Sequence, residues 1–427
     1  MAGVGVFLVC LLIGVPIAFA MIAMTLVLIP TVSDPVLFRA FHQQLFGGLE
    51  NYGLLALPLF LLVGELMSEG GIARRLIALA RLLVGRLSGG LAYVNLIANA
   101  MMASILGSAI AQISMMNRVI TPEMEKAGYN KEFSVSLSTG AGLLAPVLPP
   151  SMVFVVYGVL AQISIGDLFL SGIGPGLVML MGFLGIILIA GLRGAFKEAD
   201  KTQQNMSAQE SSDLRKLAFS ALPAALVPVI ILTSIVFGIA TPTEAAALAA
   251  LVSLGIGTFV YKELTLPSLW DCLKRAAMAS GVILFLIASA QIFGFVIVFE
   301  QFPATLSDWI TSTATSPLAF LLLVNVLLLM AGMFLDGIAA LIIIVPLLLP
   351  IATRQFGIDP FQFGVIVCLN LAIGLITPPV GAGLFVASSA SGVSPERIAW
   401  RVLPFIAVTL FTIFLVAILP ALTSFLL

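Results

Sequence analysis

Charge is what this 427-residue sequence has least of: Asp, Glu, Lys and Arg together make up 9% of it, against 61% hydrophobic residues. A water-soluble domain carries about 25% charged residues, so a soluble globular fold is excluded. Histidine is reduced to His42. One histidine cannot build a His-based metal centre, and its isolation argues against Ser/His/Asp hydrolysis. The three cysteines, Cys10, Cys272 and Cys368, lie scattered in or near apolar segments. They have neither metal-ligand spacing nor a disulfide framework and read as small packing residues. A net charge of −1 offers no basic surface for nucleic acid. Hydrophilic runs are equally scarce. The long one, RGAFKEADKTQQNMSAQESSDLRK from Arg193 to Lys216, divides the chain into halves 1–193 and 217–427, with 194–216 as a polar linker.

What fills the remainder is a series of apolar segments near the length of about 20 residues that a helix needs to cross about 30 Å of hydrocarbon. They predict an all-α polytopic membrane protein. The run from Val4 to Ile29 is too long for a signal-peptide core and reads as a retained helix. IARRLIALARLLVGR carries Arg74, Arg75, Arg81 and Arg86 without an acid, which places it at the cytoplasmic face.

Two apolar stretches cannot be continuous helices. STGAGLLAPVLPPS runs from Ser138 to Ser151, and NLAIGLITPPVG from Asn370 to Gly381. Each proline removes a backbone donor. In hydrocarbon the freed carbonyls need a partner, and they are suited to hold a cation. Sliding the chain so that Pro150 falls on Pro379 also pairs Gly128 with Gly357, Pro149 with Pro378 and Pro175 with Pro404. The chain is a duplicated unit.

Ahead of each break lies a polar interruption, LGSAIAQIS (Leu106 to Ser114) and LDGIAALII (Leu335 to Ile343). The flanking arms read as about 12 to 16 residues, too short to span, so each pair is expected to be a re-entrant hairpin. Tip one offers Ser108, Gln112 and Ser114, with Ser138, Thr139 and the carbonyls of Ala145 to Pro150 from its break. Tip two offers Asp336 and Gly337, with Asn370, Thr377 and the carbonyls of Gly374 to Pro379. Oxygens of this kind suit a hard monovalent cation. Asp336, an acid within an apolar run, is the foremost functional candidate, whereas Glu244 in ATPTEAAALAA reads as a helix-capping residue behind Thr241 or Thr243.

The stretches ALPLFLLVGELMSEGGIARRL, ASILGSAIAQ, LLAPVLPPSMVFVVYG, IATPTEAAALAA, GMFLDGIAALIIIVPLLLPIA and NLAIGLITPPVGAGLFV resemble the large membrane subunit of tripartite ATP-independent periplasmic (TRAP) transporters, in order and over nearly the full length. The resemblance implies two inverted repeats with re-entrant hairpins and broken helices, working as a sodium-coupled elevator in the bacterial inner membrane. It implies a small four-helix Q subunit, a periplasmic substrate-binding P protein and a small organic acid as cargo. It puts one sodium ion at Leu106, Ser108, Ala145, Leu148 and Pro150, with Gln112 beside them. A second falls at Gly337, Gly374, Thr377 and Pro379. Asp336 is implied near the substrate cavity, and Ser138 and Asn370 are further candidates for facing substrate. Two positions depart from the family pattern: Gln112 stands where many relatives have Asp, and Phe299 where some have Arg. A stand-alone sodium/anion symporter is the alternative in the same class; a membrane-embedded enzyme would need a polar catalytic cluster that the sequence lacks.

Overall fold

In the computed structural model, residues 5–194, 196 and 220–427 are described, apart from 8, 11–12, 33–34, 86, 88 and 300–301. Most of the expected linker 194–216 therefore lies outside the described residues, as does the side chain of Phe299. All regular elements among the described residues are helical. They run as α1 (Ile17–Val32), α2 (Pro35–Gly47), α3 (Ala56–Glu69), α4 (Ile72–Val84), α5 (Gly90–Leu106), α6 (Ala109–Lys126) and α7 (Lys131–Ala141). After them come α8 (Met152–Ala161), α9 (Ile165–Leu192), α10 (Leu222–Val236), α11 (Pro242–Gly255), α12 (Leu266–Phe299) and α13 (Phe302–Thr313). The chain closes with α14 (Pro317–Phe334), α15 (Gly337–Arg354), α16 (Pro360–Gly374), α17 (Ala382–Ser391), α18 (Pro395–Ile418) and α19 (Ala421–Ser424). Seven helical segments among the described residues are long and apolar enough to cross a membrane.

The duplication is visible element by element. Hairpin α5–α6, helix α7, a break, short helix α8 and long helix α9 return in the same order as α14–α15, α16, a break, α17 and α18. Both breaks contain a cis Pro–Pro bond, Pro149–Pro150 and Pro378–Pro379. Asn130 and Asp359, paired in the same register, cap α7 and α16 with their side chains. The repeats interlock: α6 packs on α17 and α15 on α8, while α18 packs on α7 and α9 on α16. Each repeat buries its apolar faces against the other.

Side-chain contacts fix the relative direction of the repeats. Phe196, just past the end of α9, lies against Phe133 at the start of α7, with ring centroids 5.8 Å apart. Glu132, beside Phe133, pairs with Arg397 in the first turn of α18 at 3.3 Å. The C-terminus of α9 and the N-terminus of its counterpart α18 therefore share one end of the molecule, and the repeats are inverted. The same end collects Arg81 with Glu123, Arg74 and Arg75 with Glu263, and Arg275 with Glu65 and Glu69. By the positive-inside tendency it is the cytoplasmic end.

The hairpin arms are longer than the expected 12 to 16 residues, 17 in α5 and 18 each in α6, α14 and α15, and both arms of hairpin two are long and apolar enough to span. Polar turns such as those of Asn117–Lys126 continue the helix beyond the apolar stretch. Arm length alone therefore does not make them re-entrant. Their opposed entry does: hairpin one starts at the basic end, while hairpin two starts where Phe320 and Phe363 stack and Tyr157 donates to the Pro360 carbonyl at 2.7 Å. Tips arriving from opposite ends meet inside the protein. Helices α1, α2, α3, α10, α11 and α12 pack among themselves and meet the repeats chiefly where α12 touches α15 and α3 touches α5. Thr241 caps α11 in a full capping box with Glu244.

At the basic end, Glu263 lies 2.6 Å from Arg74 and 2.8 Å from Arg75, whose guanidinium sits 3.8 Å above the Tyr261 ring. Burial pushes the Glu263 carboxyl up, but both guanidiniums outweigh it and hold its pKa below the ordinary value. A depressed carboxylate stabilises the fold fully above its unfolded-state value of about 4.3 and loses that contribution as pH falls through the folded value. Glu263→Gln should therefore have a lower unfolding midpoint than wild type near pH 7, with the difference closing on acidification below about pH 4. Thermal unfolding of the detergent-solubilised protein across pH measures this.

Candidate functional site at the meeting of the hairpin tips

Tip one turns on Gly107, whose φ of 57° lies in the left-handed region that glycine enters without penalty. A Cβ there would lie 2.9 Å from the Pro150 carbonyl oxygen and 3.1 Å from the Met152 nitrogen. Tip one is therefore seated directly on the first break. Ser108 then starts α6, its Oγ accepting from the Ala111 amide at 3.5 Å. At tip two, Asp336 plays the same part for α15, with Oδ2 accepting from the Ile338 amide at 3.2 Å. Equivalent amides tie each tip to its break. Met152 donates to the Gly107 carbonyl, and Gly381, its counterpart in the second repeat, donates to the Met333 carbonyl, both at 3.3 Å.

The breaks follow from the prolines. In an α-helix the carbonyls of Ala145 and Pro146 would accept from residues 149 and 150, but both are proline and have no N–H. The Ser151 hydroxyl supplies Pro146 at 2.7 Å, leaving Ala145 without a helical donor. In the second repeat, Pro378 and Pro379 deprive Gly374 and Leu375 in the same way. Leu375 recovers a donor from the Gly383 amide at 2.7 Å, and Gly374 accepts from Thr377 in a tighter turn at 3.2 Å. The Thr377 hydroxyl donates back to Ile373 at 2.7 Å.

Between the tips lies a cavity of about 50 Å³, bordered by Ser108, Ile110, Pro146, Met152, Asp336 and Gly337, with Cys368 and Leu371 on α16 behind them. Helices α6, α8 and α15 all begin at its wall, so three N-terminal dipole ends converge there. Among the described residues Asp336 is the charged side chain in the lining, and no Lys or Arg contributes to it. The cavity volume is far below the roughly 300–1,000 Å³ of pockets that enclose a drug-sized ligand. A solute of that size has to part the tips.

The expected site residues are distributed as follows. Ser108, Asp336 and Gly337 line the cavity, and Pro150 touches tip one. Ala145 is fully buried in the first break, and Leu148 directs its side chain at Gly176 of α9. Leu106 packs beside Gly64 of α3. Gly374 lies against Gly332 of α14, backbone on backbone. Thr377 is half-buried, and Pro379 is exposed.

Gln112, Ser138 and Asn370 lie away from the cavity. Gln112 donates through Nε2 to the backbone and side-chain oxygens of Asn99, each at 2.8 Å. Asn99 donates to Asn95 Oδ1 at 2.7 Å, and Asn95 donates to Ser138 Oγ at 2.7 Å. Ser138 meets the Thr121 hydroxyl at 3.2 Å, Thr121 donates to Asn117, and Asn117 to Thr139. All seven side chains are at most 2% exposed. Ser138 is thus a link in a buried polar chain. Asn370 is likewise enclosed, donating to Asn325 Oδ1 at 2.6 Å. Sequence reasoning missed Asn95, Asn99, Asn117 and Thr121. Their signal is spacing by four on two hairpin arms, where the second repeat carries Val324, Leu328, Pro346 and Pro350.

Inverted repeats whose hairpin tips meet over broken helices define a polytopic membrane transporter, and the overall fold is that of a solved one. The Alcanivorax borkumensis YdaH transporter matches with a TM-score of 0.65, over 90% of this chain and 88% of that one, at 17% identity. The likeness is one of fold. The sequence carries the assignment further: the chain belongs to the family described as tripartite ATP-independent periplasmic transporter, DctM component, whose sequence model matches residues 4–422. Relatives include the isethionate TRAP transporter permease protein DctMQ of Oleidesulfovibrio alaskensis, 38% identical over 99% of this chain and 65% of that protein. The sialic acid TRAP transporter large permease protein SiaM of Vibrio cholerae is 36% identical over 96% and 94%. The C4-dicarboxylate TRAP transporter large permease protein DctM of Pseudomonas aeruginosa is 37% identical over 91% and 89%. This chain is accordingly a multi-pass transport permease of the bacterial inner membrane.

Proposed function

We propose that this chain is the large permease of a sodium-coupled importer for a small organic anion, loaded by a periplasmic binding protein and accompanied by a small Q-type membrane subunit. The observation that carries the reading is the seating of each tip on its own break, repeated in inverted register. The coupling ion is cargo here. Leu106, Ser108, Ala145, Leu148 and Pro150 would hold one sodium ion; Gly337, Gly374, Thr377 and Pro379 would hold the other. Gln112, engaged by Asn99, steadies the first arm without adding charge. Sodium at both places fixes the tips, and the three helix N-termini between them draw the anion in. Asp336 sets the geometry of tip two. The two repeats then move as one body against α3, α10, α11 and α12, carrying the closed cavity across the membrane as an elevator. The names of the relatives, covering isethionate, sialic acid and C4-dicarboxylates, support an anionic cargo.

The test is uptake into liposomes holding the complete permease, driven by an inward sodium gradient. Accumulation should require both sodium and the loaded binding protein. Full uptake with free solute alone would sink the tripartite reading in favour of a stand-alone symporter, and uptake indifferent to sodium would sink the coupling.

A further inference from the structure

A second cavity, of about 880 Å³, opens at the end of the molecule opposite the basic cluster. Three turns build it: Asn51–Leu55 ahead of α3, Gly158–Asp167 joining α8 to α9, and Gly238–Glu244 joining α10 to α11. Asp167 and Glu244 face it, and among the described residues its lining contains no Lys, Arg or His. Asp167 has no ion pair among the described residues. Glu244 accepts from the Thr241 amide and hydroxyl, both at 2.8 Å, and has no cationic partner there. Both acids stand in the first turn of a helix, where the dipole offsets part of their charge, and no cationic side chain among the described residues neutralises the remainder. On its rim and beside it, Tyr52, Phe237 and Ile239 are 86%, 74% and 76% exposed, in turns beyond the helix ends. Exposed apolar groups around a largely apolar depression whose charged side chains are both acids are the make-up of a protein-docking surface.

We propose that this cavity receives a lysine- or arginine-bearing loop of a water-soluble protein, namely the binding protein invoked above; the inference rests on that reading. Charge complementarity selects the occupant. Asp167 and Glu244 attract a cationic side chain, Asn51, Gln162 and Thr243 offer acceptors, and the apolar rim covers the stem of the loop. The position adds a consequence. Gly158–Asp167 belongs to the first repeat, whereas the other two turns belong to the surrounding helices, so a seated loop touches both bodies. Displacement of one against the other changes the shape of the cavity, and the bound partner registers it.

Binding of the purified, solute-loaded partner to the complete permease in nanodiscs tests this. Gln162→Lys and Thr243→Lys put positive charge into the cavity; Gln162 is the C-cap of α8, but it caps through its backbone amide, which lysine keeps. Position 162 has φ 55°, which this chain also accepts for a lysine, Lys262 at φ 56°. The double variant should bind about 10-fold more weakly, with a flatter salt dependence. Its unfolding midpoint should stay at the wild-type value, and Thr315→Lys, outside the cavity, should keep wild-type affinity. Wild-type affinity in the double variant overturns the assignment of this cavity while leaving the tripartite reading intact. No binding to the wild-type permease overturns both.

Discussion

Asp336→Ala should reduce sodium-driven uptake by about 100-fold, the range expected when hydrogen bonding by a charged group is lost. The side chain borders the cavity between the tips and caps α15 through the Ile338 amide. Alanine removes both the charge and the cap, and losing a cap costs about 1 kcal/mol. Asp336→Asn separates these effects, because asparagine caps as well as aspartate. The asparagine variant should unfold at the wild-type temperature and still transport poorly if the charge matters to the cavity. Recovery of uptake in Asp336→Asn would reduce Asp336 to a cap, and uptake intact in Asp336→Ala would remove it from the site.

Much of this arrangement is written in the sequence, because prolines and glycines act locally. The two Pro–Pro pairs announce the breaks wherever the surrounding helices fall, and the register they share with Gly128 and Gly357 announces the repeats. What sequence reading could not supply is what lies across from each residue. Ser138 and Asn370 sit on the broken helices, but their partners Asn95 and Asn325 come from hairpin arms well separated from them along the chain. Only the packing shows that they face each other and not the cavity. The repeats also differ in a way that pattern matching hides. Break one is covered by α9, where Gly172 and Gly176 let the helix approach Val147 and Leu148. At the same register α18 has Arg401 and Phe405, and the Phe405 ring instead fills the space beside Gly140. Pro378, Pro379 and Val380 are left exposed, while Pro149 and Pro150 are buried. Two side chains make equivalent sequences inequivalent sites.

The second large effect is expected at Gly374, where tip two's arm and its break come closest. A Cβ at 374 would lie 2.4 Å from the carbonyl carbon of Gly332, 2.5 Å from its Cα and 2.7 Å from its oxygen. All three are backbone atoms and cannot swing aside, so Gly374→Ala has to push α14 off α16. Overpacking of this kind costs about 1 to 3 kcal/mol, and here it falls on the residue whose carbonyl is assigned to the second sodium ion. Uptake should fall by about 10-fold or more, consistent with that cost, and half-saturation should need more sodium. The reverse substitution is milder. A Cβ at Gly332 would meet its nearest atom, Gly374 Cα, at 3.2 Å and Leu371 at 3.4 Å, so Gly332→Ala asks for a shift of a few tenths of an ångström. Gly185, with nothing within 4 Å, should accept alanine without effect on uptake. The ordering Gly374 far worse than Gly332, with Gly185 silent, is what a seated tip requires. Repeat one has alanine at both corresponding positions, Ala103 and Ala145, so its seat tolerates the extra methyl groups. If Gly374→Ala keeps the wild-type sodium dependence and unfolding midpoint, close seating of tip two is not what holds the second ion.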